Sequence, residues 1–233
     1  MATTTLAERA RATRSTIAMK LAMAVSGLVF IGFVLSHMYG NLKAFAGHDS
    51  FNEYAEHLRT IGEPILPESG LLWILRLGLI ASLVVHVSAA VWLWRRAQSA
   101  RTIKYEVTKR RHSSVSSRTM RWGGLTILVF LGWHLLNFSI VKVNPAGGAT
   151  SDPYNLLVDT FDVWWMSLIY LVAMFALGMH LHHGTWSSMQ TLGLTNTAAA
   201  RSRAKMAGWV VAIVVAGGYS LVPLGVLFGV ITK

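Results

Sequence analysis

Histidine is the residue type whose placement in this chain points most directly to chemistry. Of the nine histidines, one falls in each of the first four long, nearly uncharged stretches: His37, His86, His134 and His180. A neutral imidazole can ligate a metal through one ring nitrogen, and an ionisable side chain inside a bilayer is costly and usually functional. This distribution indicates a ligand set shared between helices.

The depth of each histidine follows from its position along its stretch, because an α-helix rises about 1.5 Å per residue and successive membrane helices run in opposite directions. His37 lies near the outer end of the first stretch, and His134 lies at mid-depth or beyond in the third. His86 and His180 lie roughly 22–26 Å below the outer starts of the second and fourth stretches. The four histidines therefore sort into an outer pair and an inner pair, each drawn from alternate helices.

Two imidazoles on facing helices can fill both axial positions of a haem iron, which then carries electrons without binding oxygen. We predict two bis-histidine haems b stacked across the membrane, with the outer haem on His37 and His134. The inner haem would lie on His86 and His180. Hydrogen bonding between helices is the simplest alternative. A proton relay would normally include carboxylates within the stretches, which have none, and a copper or zinc site would gather its ligands at one depth.

Two further histidines leave the ligand in the fourth stretch open. Helical geometry rotates His182 by about 200° from His180, whereas His183 is rotated by about 60° and lies one turn nearer the cytoplasm. His183 is therefore a rival ligand to His180, or a hydrogen-bond partner for a haem propionate or a quinone.

The elements that position these side chains must be membrane helices. The chain has 233 residues, 53% of them apolar and 13% charged, with no cysteine and a formal net charge of +11. A soluble domain is about 25% charged, so the composition excludes disorder and argues against an ordinary soluble enzyme. The lack of cysteine excludes disulfides, thiolate zinc sites, cysteine-ligated iron–sulfur clusters and covalent c-type haem.

Five stretches supply the roughly 20 apolar residues that a helix needs to cross a bilayer. We predict an all-α integral membrane protein with five transmembrane helices, the first four forming a dihaem four-helix bundle, in a single membrane domain over residues 1–233. The predicted spans are approximately 17–41, 70–97, 120–143, 161–186 and 204–231. Apolar residues at helical spacing, with acids between them, predict a short amphipathic helix on the outer surface at approximately 47–60.

The charges separate the two sides of the membrane. The N-terminal segment, the second-to-third connection and the fourth-to-fifth connection hold most of the basic residues: Arg9, Arg11, Arg14, Lys20, Arg95, Arg96, Arg101, Lys104, Lys109, Arg110, Arg111, Arg118, Arg121, Arg201, Arg203 and Lys205. By the positive-inside rule, the N-terminus is cytoplasmic and the C-terminus is outside. The net charge thus reflects topology and a basic cytoplasmic face suited to docking partners, and it does not indicate nucleic-acid binding.

Several short sequence motifs occur along the chain. They are Lys20–Leu28 (KLAMAVSGL), Ser36–Leu42 (SHMYGNL), Phe51–Tyr54 (FNEY) and, in the fourth stretch, His180 and Leu181 followed by Gly184 and Trp186. Together they resemble the single-subunit cytochrome b membrane anchor of succinate dehydrogenase and fumarate reductase. The resemblance covers essentially the whole chain, and its first-helix motif is the most specific part.

The resemblance implies a location in the bacterial plasma membrane and two haems b on the four histidines. It also implies a flavoprotein subunit with FAD and an iron–sulfur subunit docked on the cytoplasmic face, and electron exchange with a membrane quinone, with menaquinone favoured. A higher oligomer is compatible with it. The chain would then be an enzyme only as part of a succinate dehydrogenase or fumarate reductase complex of the respiratory chain and tricarboxylic acid cycle, because it lacks the dicarboxylate chemistry.

Four other residues are candidates for binding roles under this resemblance. Arg76, in the outer part of the second span, either neutralises a propionate of the outer haem or reaches the lipid headgroups. Glu56, His57 and Glu63, on the acidic outer side, either exchange protons near an outer quinone or lie on a solvated surface helix.

Two alternative functions stay open. The cytochrome b subunit of a hydrogenase or formate dehydrogenase also uses bis-histidine haems, but it usually carries paired histidines on fewer helices and lacks the first-helix motif. A haem-free transporter or structural membrane protein is the alternative from a different class.

Overall fold

The computed structural model describes the backbone of residues 2–100, 115–146, 148 and 150–233, and the side chains of 16–100, 119–146, 148 and 150–233. All regular structure in these ranges is helical. The seven α-helices are α1 (Ala2–Leu42), α2 (His48–Thr60), α3 (Gly70–Ser99), α4 (Val115–Leu135), α5 (Pro153–Asp162), α6 (Trp164–Thr191) and α7 (Ala198–Leu227).

Five of these helices contain segments long and apolar enough to cross a membrane: Thr16–Ala46, Gly70–Ser99, Thr119–Ile140, Trp164–Thr191 and Ala198–Leu227. In lipid, every backbone polar group must be satisfied within its own segment, which only a helix achieves for a single span. Large apolar side chains such as Leu77, Val84 and Ile213 are more than half exposed, as a lipid-facing surface requires. The prediction of an all-helical, five-span membrane protein is confirmed for the described part of the chain, and the protein is a multi-pass membrane protein.

Helix α6 is the centre of the packing. It contacts α1, α4 and α7, while α1 also contacts α3 and α7. In the described ranges, α3 does not pack along α4, although the two helices approach where the Arg121 guanidinium lies 5.8 Å from the ring centre of Trp94. The first four spans therefore stand in the order α3, α1, α6, α4.

The short helices α2 and α5 lie together at one end of the molecule, here named the α2/α5 end, which the sequence predicts to be outside. Asp152 caps α5 by accepting a hydrogen bond from the Asn155 backbone N–H at 2.9 Å, and proline occupies the first turn, a combination typical of helix starts. The apolar side of α5 is buried against α6 and α7, with Tyr154, Leu157 and Phe161 at most 5% exposed.

The bounds of two predicted spans differ from those of the helices. The fourth span was expected to begin near residue 161, but an extended residue at Val163 separates α5 from α6, which begins at Trp164. The third was expected to reach residue 143, whereas α4 continues as a π-helical turn over Leu136–Ile140 and ends there. Helix α5 contains the acidic residues Asp159 and Asp162 among its apolar ones. It is amphipathic rather than uniformly apolar, so the apolar stretches did not mark it as a separate helix.

Much of the predicted basic cytoplasmic face lies outside the described side chains, namely Arg9, Arg11, Arg14, Arg101, Lys104, Lys109, Arg110, Arg111 and Arg118. Two described cations at that end lie near aromatic rings: Arg96 is 5.3 Å from the ring centre of Trp92, and Lys205 is 5.8 Å from that of Trp186. Such cation–aromatic contacts are typical of a membrane boundary.

Candidate functional site

The four histidines singled out from the sequence meet in two pairs. The ring centroids of His37 on α1 and His134 on α4 are 5.9 Å apart, and those of His86 on α3 and His180 on α6 are 6.2 Å apart. We refer to them as the outer pair and the inner pair. Each pair joins helices that are not neighbours in the packing order, so the imidazoles reach across the space between the four helices.

The ring separations suit two axial ligands of one metal ion. With a metal–nitrogen bond of about 2.0 Å, a linear imidazole–metal–imidazole unit places the two ring centroids roughly 6 Å apart. Both pairs have this separation. Direct hydrogen bonding between the rings is not present in either pair among the described contacts.

The donor set also bears on the kind of ion. Within the described ranges, no group of three or more His, Cys, Asp or Glu side chains is arranged to hold a metal ion. Two imidazoles alone do not complete the coordination of a bare zinc or copper ion. Each pair therefore supplies two imidazole nitrogens, and an ion held there would need further ligands from elsewhere.

Glycines border both rings of the inner pair. A Cβ at Gly27 on α1 would lie 3.4 Å from Cε1 of His86, and a Cβ at Gly124 on α4 would lie 3.5 Å from Cε1 of His180. Each imidazole thus lies within ordinary contact distance of a Cβ position on the neighbouring helix. These two positions could not be singled out from the sequence, because glycine is common in membrane helices for packing.

A buried polar network supports the outer pair. The Tyr170 hydroxyl donates to Oδ1 of Asn137 at 2.7 Å and lies 3.4 Å from Nδ1 of His134. Nδ2 of Asn137 donates to Oγ1 of Thr160 at 3.2 Å and to the backbone carbonyl of Val143 at 2.8 Å. Asn137 and Thr160 are fully buried, so the polar groups are matched where water does not reach.

The inner pair has a sparser environment. Nδ1 of His86 lies 3.2 Å from Oγ of Ser26, whose hydroxyl also donates to the backbone carbonyl of Ala22 at 2.7 Å. Nδ1 of His180 is buried and has no hydrogen-bond partner in the part of the chain that the structure describes. A cavity of about 140 Å³ adjoins His180, lined chiefly by apolar side chains of α4 and α6, including Met179.

The neighbouring histidines of α6 point to other partners. His182 stacks on Trp209 with ring centroids 4.1 Å apart, and the ring centroid of His183 lies 5.7 Å from that of Trp186. His180, rather than His183, is the residue that lies against His86.

The remaining sequence candidates lie at the surface. The Arg76 guanidinium is 5.0 Å from the ring centre of Trp73. Glu56, His57 and Glu63 are exposed, and no hydrogen bond or ion pair of these three side chains occurs within the described ranges.

The α2/α5 end contains a polar cluster that the sequence analysis did not single out. Nε2 of His48 lies 2.6 Å from Oδ2 of Asp152, and its Nδ1 lies 2.9 Å from Oδ1 of Asp49. Asn52 donates to the other oxygen of Asp152 at 3.1 Å. His48 and Asn52 are about a hundred residues from Asp152 in the sequence. No local sequence pattern therefore indicated that these side chains meet.

His48 and Asp152 each favour the charged form of the other. Hydrogen bonds to Asp49 and Asp152 raise the pKa of His48. Partial burial alone would raise the pKa of Asp152, but hydrogen bonds from the Asn155 backbone, Asn52 and His48 outweigh it and lower that pKa. The cluster is thus an ion pair that links α2 to α5.

Among the described groups, the four imidazoles are nitrogen donors that meet in pairs within the membrane-spanning region. They combine apolar surroundings, matched separation and neutral nitrogen donors. No family model, curated protein or solved structure matches this chain.

Proposed function

We propose that this protein is the haem b-containing membrane anchor subunit of a succinate:quinone oxidoreductase, acting in a succinate dehydrogenase or fumarate reductase complex. The observation that carries the proposal is the pairing of four histidines from four membrane-spanning helices at ring separations of 5.9 and 6.2 Å. The motifs at Lys20–Leu28 and Ser36–Leu42, which resemble those of the family, support it.

In this proposal His37 and His134 hold the outer haem b, and His86 and His180 hold the inner one. A haem bound between two imidazoles supplies one-electron transfer and has no free position for oxygen. The hydroxyl groups beside Nδ1 of His86 and His134 leave the other ring nitrogen of each as the ligating atom. His183 and Arg76 are the proposed partners of haem propionates.

The proposed partners follow from what the chain itself does not contain. It has no cysteine, so iron–sulfur clusters must come from an iron–sulfur subunit, which would dock with an FAD-bearing flavoprotein on the basic cytoplasmic face. The proposed location is the bacterial plasma membrane, with the N-terminus cytoplasmic and quinone, menaquinone in the favoured case, as the membrane substrate. Glu56, His57 and Glu63 are the proposed groups for proton exchange at the α2/α5 end, where they are exposed.

The proposal is tested by the haem content of the complex purified in detergent with its partners. We expect two haems b per chain by pyridine haemochrome and reduced-minus-oxidised spectra, together with a flavin-bearing and an iron–sulfur chain. His86→Ala or His180→Ala should remove one haem, and His37→Ala or His134→Ala should remove the other. His182→Ala is the matched control on α6, because its ring stacks on Trp209, and it should retain both. Fewer than two haems per wild-type chain would refute the dihaem assignment.

A further inference from the structure

We propose that Tyr170 and Asn137 are positioning residues that orient the His134 imidazole and lower the reduction potential of the group it ligates. This inference rests on the proposed function, because it concerns the outer haem. Neither residue is a ligand, and each acts through the residue next to it in the hydrogen-bonded chain His134–Tyr170–Asn137.

The direction of the hydrogen bonds fixes the tautomer of His134. A tyrosine hydroxyl has one proton, and Tyr170 gives it to Oδ1 of Asn137 at 2.7 Å. The hydroxyl oxygen can then only accept a proton from Nδ1 of His134, at the long distance of 3.4 Å. Nδ1 is thereby the protonated nitrogen, and the lone pair of Nε2 is left for a metal.

The Asn137 side chain cannot donate to Tyr170, because its amide nitrogen already donates to two other acceptors. Its two N–H bonds point to Thr160 and to the Val143 carbonyl, so that its oxygen faces Tyr170. The residue lies in the π-helical turn Leu136–Ile140. Such turns occur rarely and often at functional sites. Here the turn places the Asn137 amide beyond the end of α4, where its nitrogen donates to the Val143 carbonyl.

Aromatic rings confine Tyr170 so that its hydroxyl has a fixed position. The ring centroids of Phe130 and Phe161 are each 4.9 Å from that of Tyr170, in edge-to-face contact. Tyr170 is 6% exposed, whereas His134 is half-buried. Tyr170 therefore presents its hydroxyl group to His134 from a fixed position.

The chemical consequence is an effect on the metal. A hydrogen bond accepted from Nδ1–H raises the basicity of a ligating imidazole, and a more basic ligand favours the oxidised iron. At the inner pair, Oγ of Ser26 lies 3.2 Å from Nδ1 of His86, and Nδ1 of His180 has no hydrogen-bond partner among the described residues. Tyr170 contacts His134 and none of the other three ligand candidates. The network therefore lowers the reduction potential of the outer group alone.

The decisive experiment is a redox titration of the purified complex carrying Tyr170→Phe, followed by visible absorption and by electron paramagnetic resonance of the ferric haems. We expect two haems to be retained and the reduction equilibrium of one to shift about three- to tenfold toward the reduced form, about 28–59 mV for a one-electron couple. The shifted haem should be the one that His134→Ala removes. Its resonance signal should also change, because the imidazole is free to rotate.

Tyr219→Phe is the matched control. Its ring lies 6.0 Å from that of His37, but its hydroxyl donates to the Val34 carbonyl at 2.9 Å, so neither potential should change. Asn137→Leu keeps the tyrosine while removing its acceptor, and it should shift the same haem in the same direction by a smaller factor.

The possible failures are distinguishable. A wild-type complex without haem would overturn the proposed function and this inference with it. Two haems in the wild type, with potentials and resonance signals unchanged in Tyr170→Phe and Asn137→Leu, would overturn the inference alone. Loss of both haems in the two variants would also overturn it, because a positioning role requires assembly to survive.

Discussion

The outer and inner histidine pairs have almost the same ring separation but very different support. At the outer pair, a chain of matched buried hydrogen bonds and a set of aromatic rings hold His134. At the inner pair, Oγ of Ser26 lies 3.2 Å from Nδ1 of His86, glycines border both rings, and Nδ1 of His180 has no hydrogen-bond partner among the described residues. The outer pair is thus held by more contacts from the protein's own side chains than the inner pair is.

The largest expected difference concerns cofactor removal. When the protein is produced in haem-deficient cells, we expect amides of α3 near His86 to exchange hydrogen at least about tenfold faster than in the haem-loaded protein, the equivalent of 1.4 kcal/mol in local opening. In the described ranges α3 packs along α1 but not along α4, so it has little other support. Amides of α6 around Tyr170 should change far less. Equal acceleration in both helices would remove the distinction between the pairs.

An effect of at least comparable size is expected on global stability. Asn137→Leu leaves the buried Thr160 hydroxyl and the partly buried Val143 carbonyl without their donor, and the buried Tyr170 hydroxyl without its acceptor. A buried group left unpaired costs about 1–3 kcal/mol. We therefore expect a loss of about 2–4 kcal/mol in the free energy of unfolding, measured by denaturant titration in detergent.

Ser26→Ala at the inner pair is the counterpart, and we expect it to cost about 1 kcal/mol. Ser26 also bonds within its own helix, so its loss leaves fewer groups unsatisfied. A Ser26→Ala variant as unstable as Asn137→Leu would show that the inner pair is supported as firmly as the outer one.

The glycines of the inner pair should affect cofactor content more than stability. Gly124→Val would push a branched side chain against His180, whose Cε1 lies 3.5 Å from the position of the first added carbon. We expect selective loss of the inner haem, visible as half the haemochrome signal. Gly78→Val is the control, because nothing lies within 4 Å of the corresponding Cβ position, and it should retain both haems.

The smallest expected effect is the pH dependence at the α2/α5 end. Because the pKa of His48 is raised, its stabilising contribution is fully present below its unfolded pKa of about 6.5 and is lost as the pH rises through the folded value. Because the pKa of Asp152 is lowered, its contribution is present above about 3.9 and is lost as the pH falls through the folded value.

The contact between α2 and α5 should therefore be strongest between about pH 4 and pH 6.5. Hydrogen exchange of α2 amides across this range checks the expectation. His48→Gln should flatten the profile, and His57→Gln, which alters an exposed histidine of the same helix, should leave it unchanged.

The two histidine pairs also show which features of the protein could be predicted from the sequence. Long apolar runs predict membrane helices because lipid imposes one requirement on the whole run, and the depth of a histidine follows from helical rise. The spans and the grouping of the four histidines were therefore accessible. Tyr170 and Asn137 were not, because a single polar residue within an apolar run does not show which neighbour it will contact.

The α2/α5 end shows the same limit. Helix α5 is buried on one side and acidic on the other, and its pairing with α2 joins residues about a hundred positions apart. Such contacts depend on how the long helices stand relative to one another. No local pattern records that arrangement.

The limited packing between α3 and α4 has a consequence for biogenesis. These helices touch near Trp94 and Arg121 but do not pack along their length in the described ranges. The helices would therefore not have to enclose a proposed haem while the chain is being synthesised. We expect the five spans to insert first and the seam between α3 and α4 to admit such a molecule sideways from the lipid afterwards, so that maturation is completed inside the membrane.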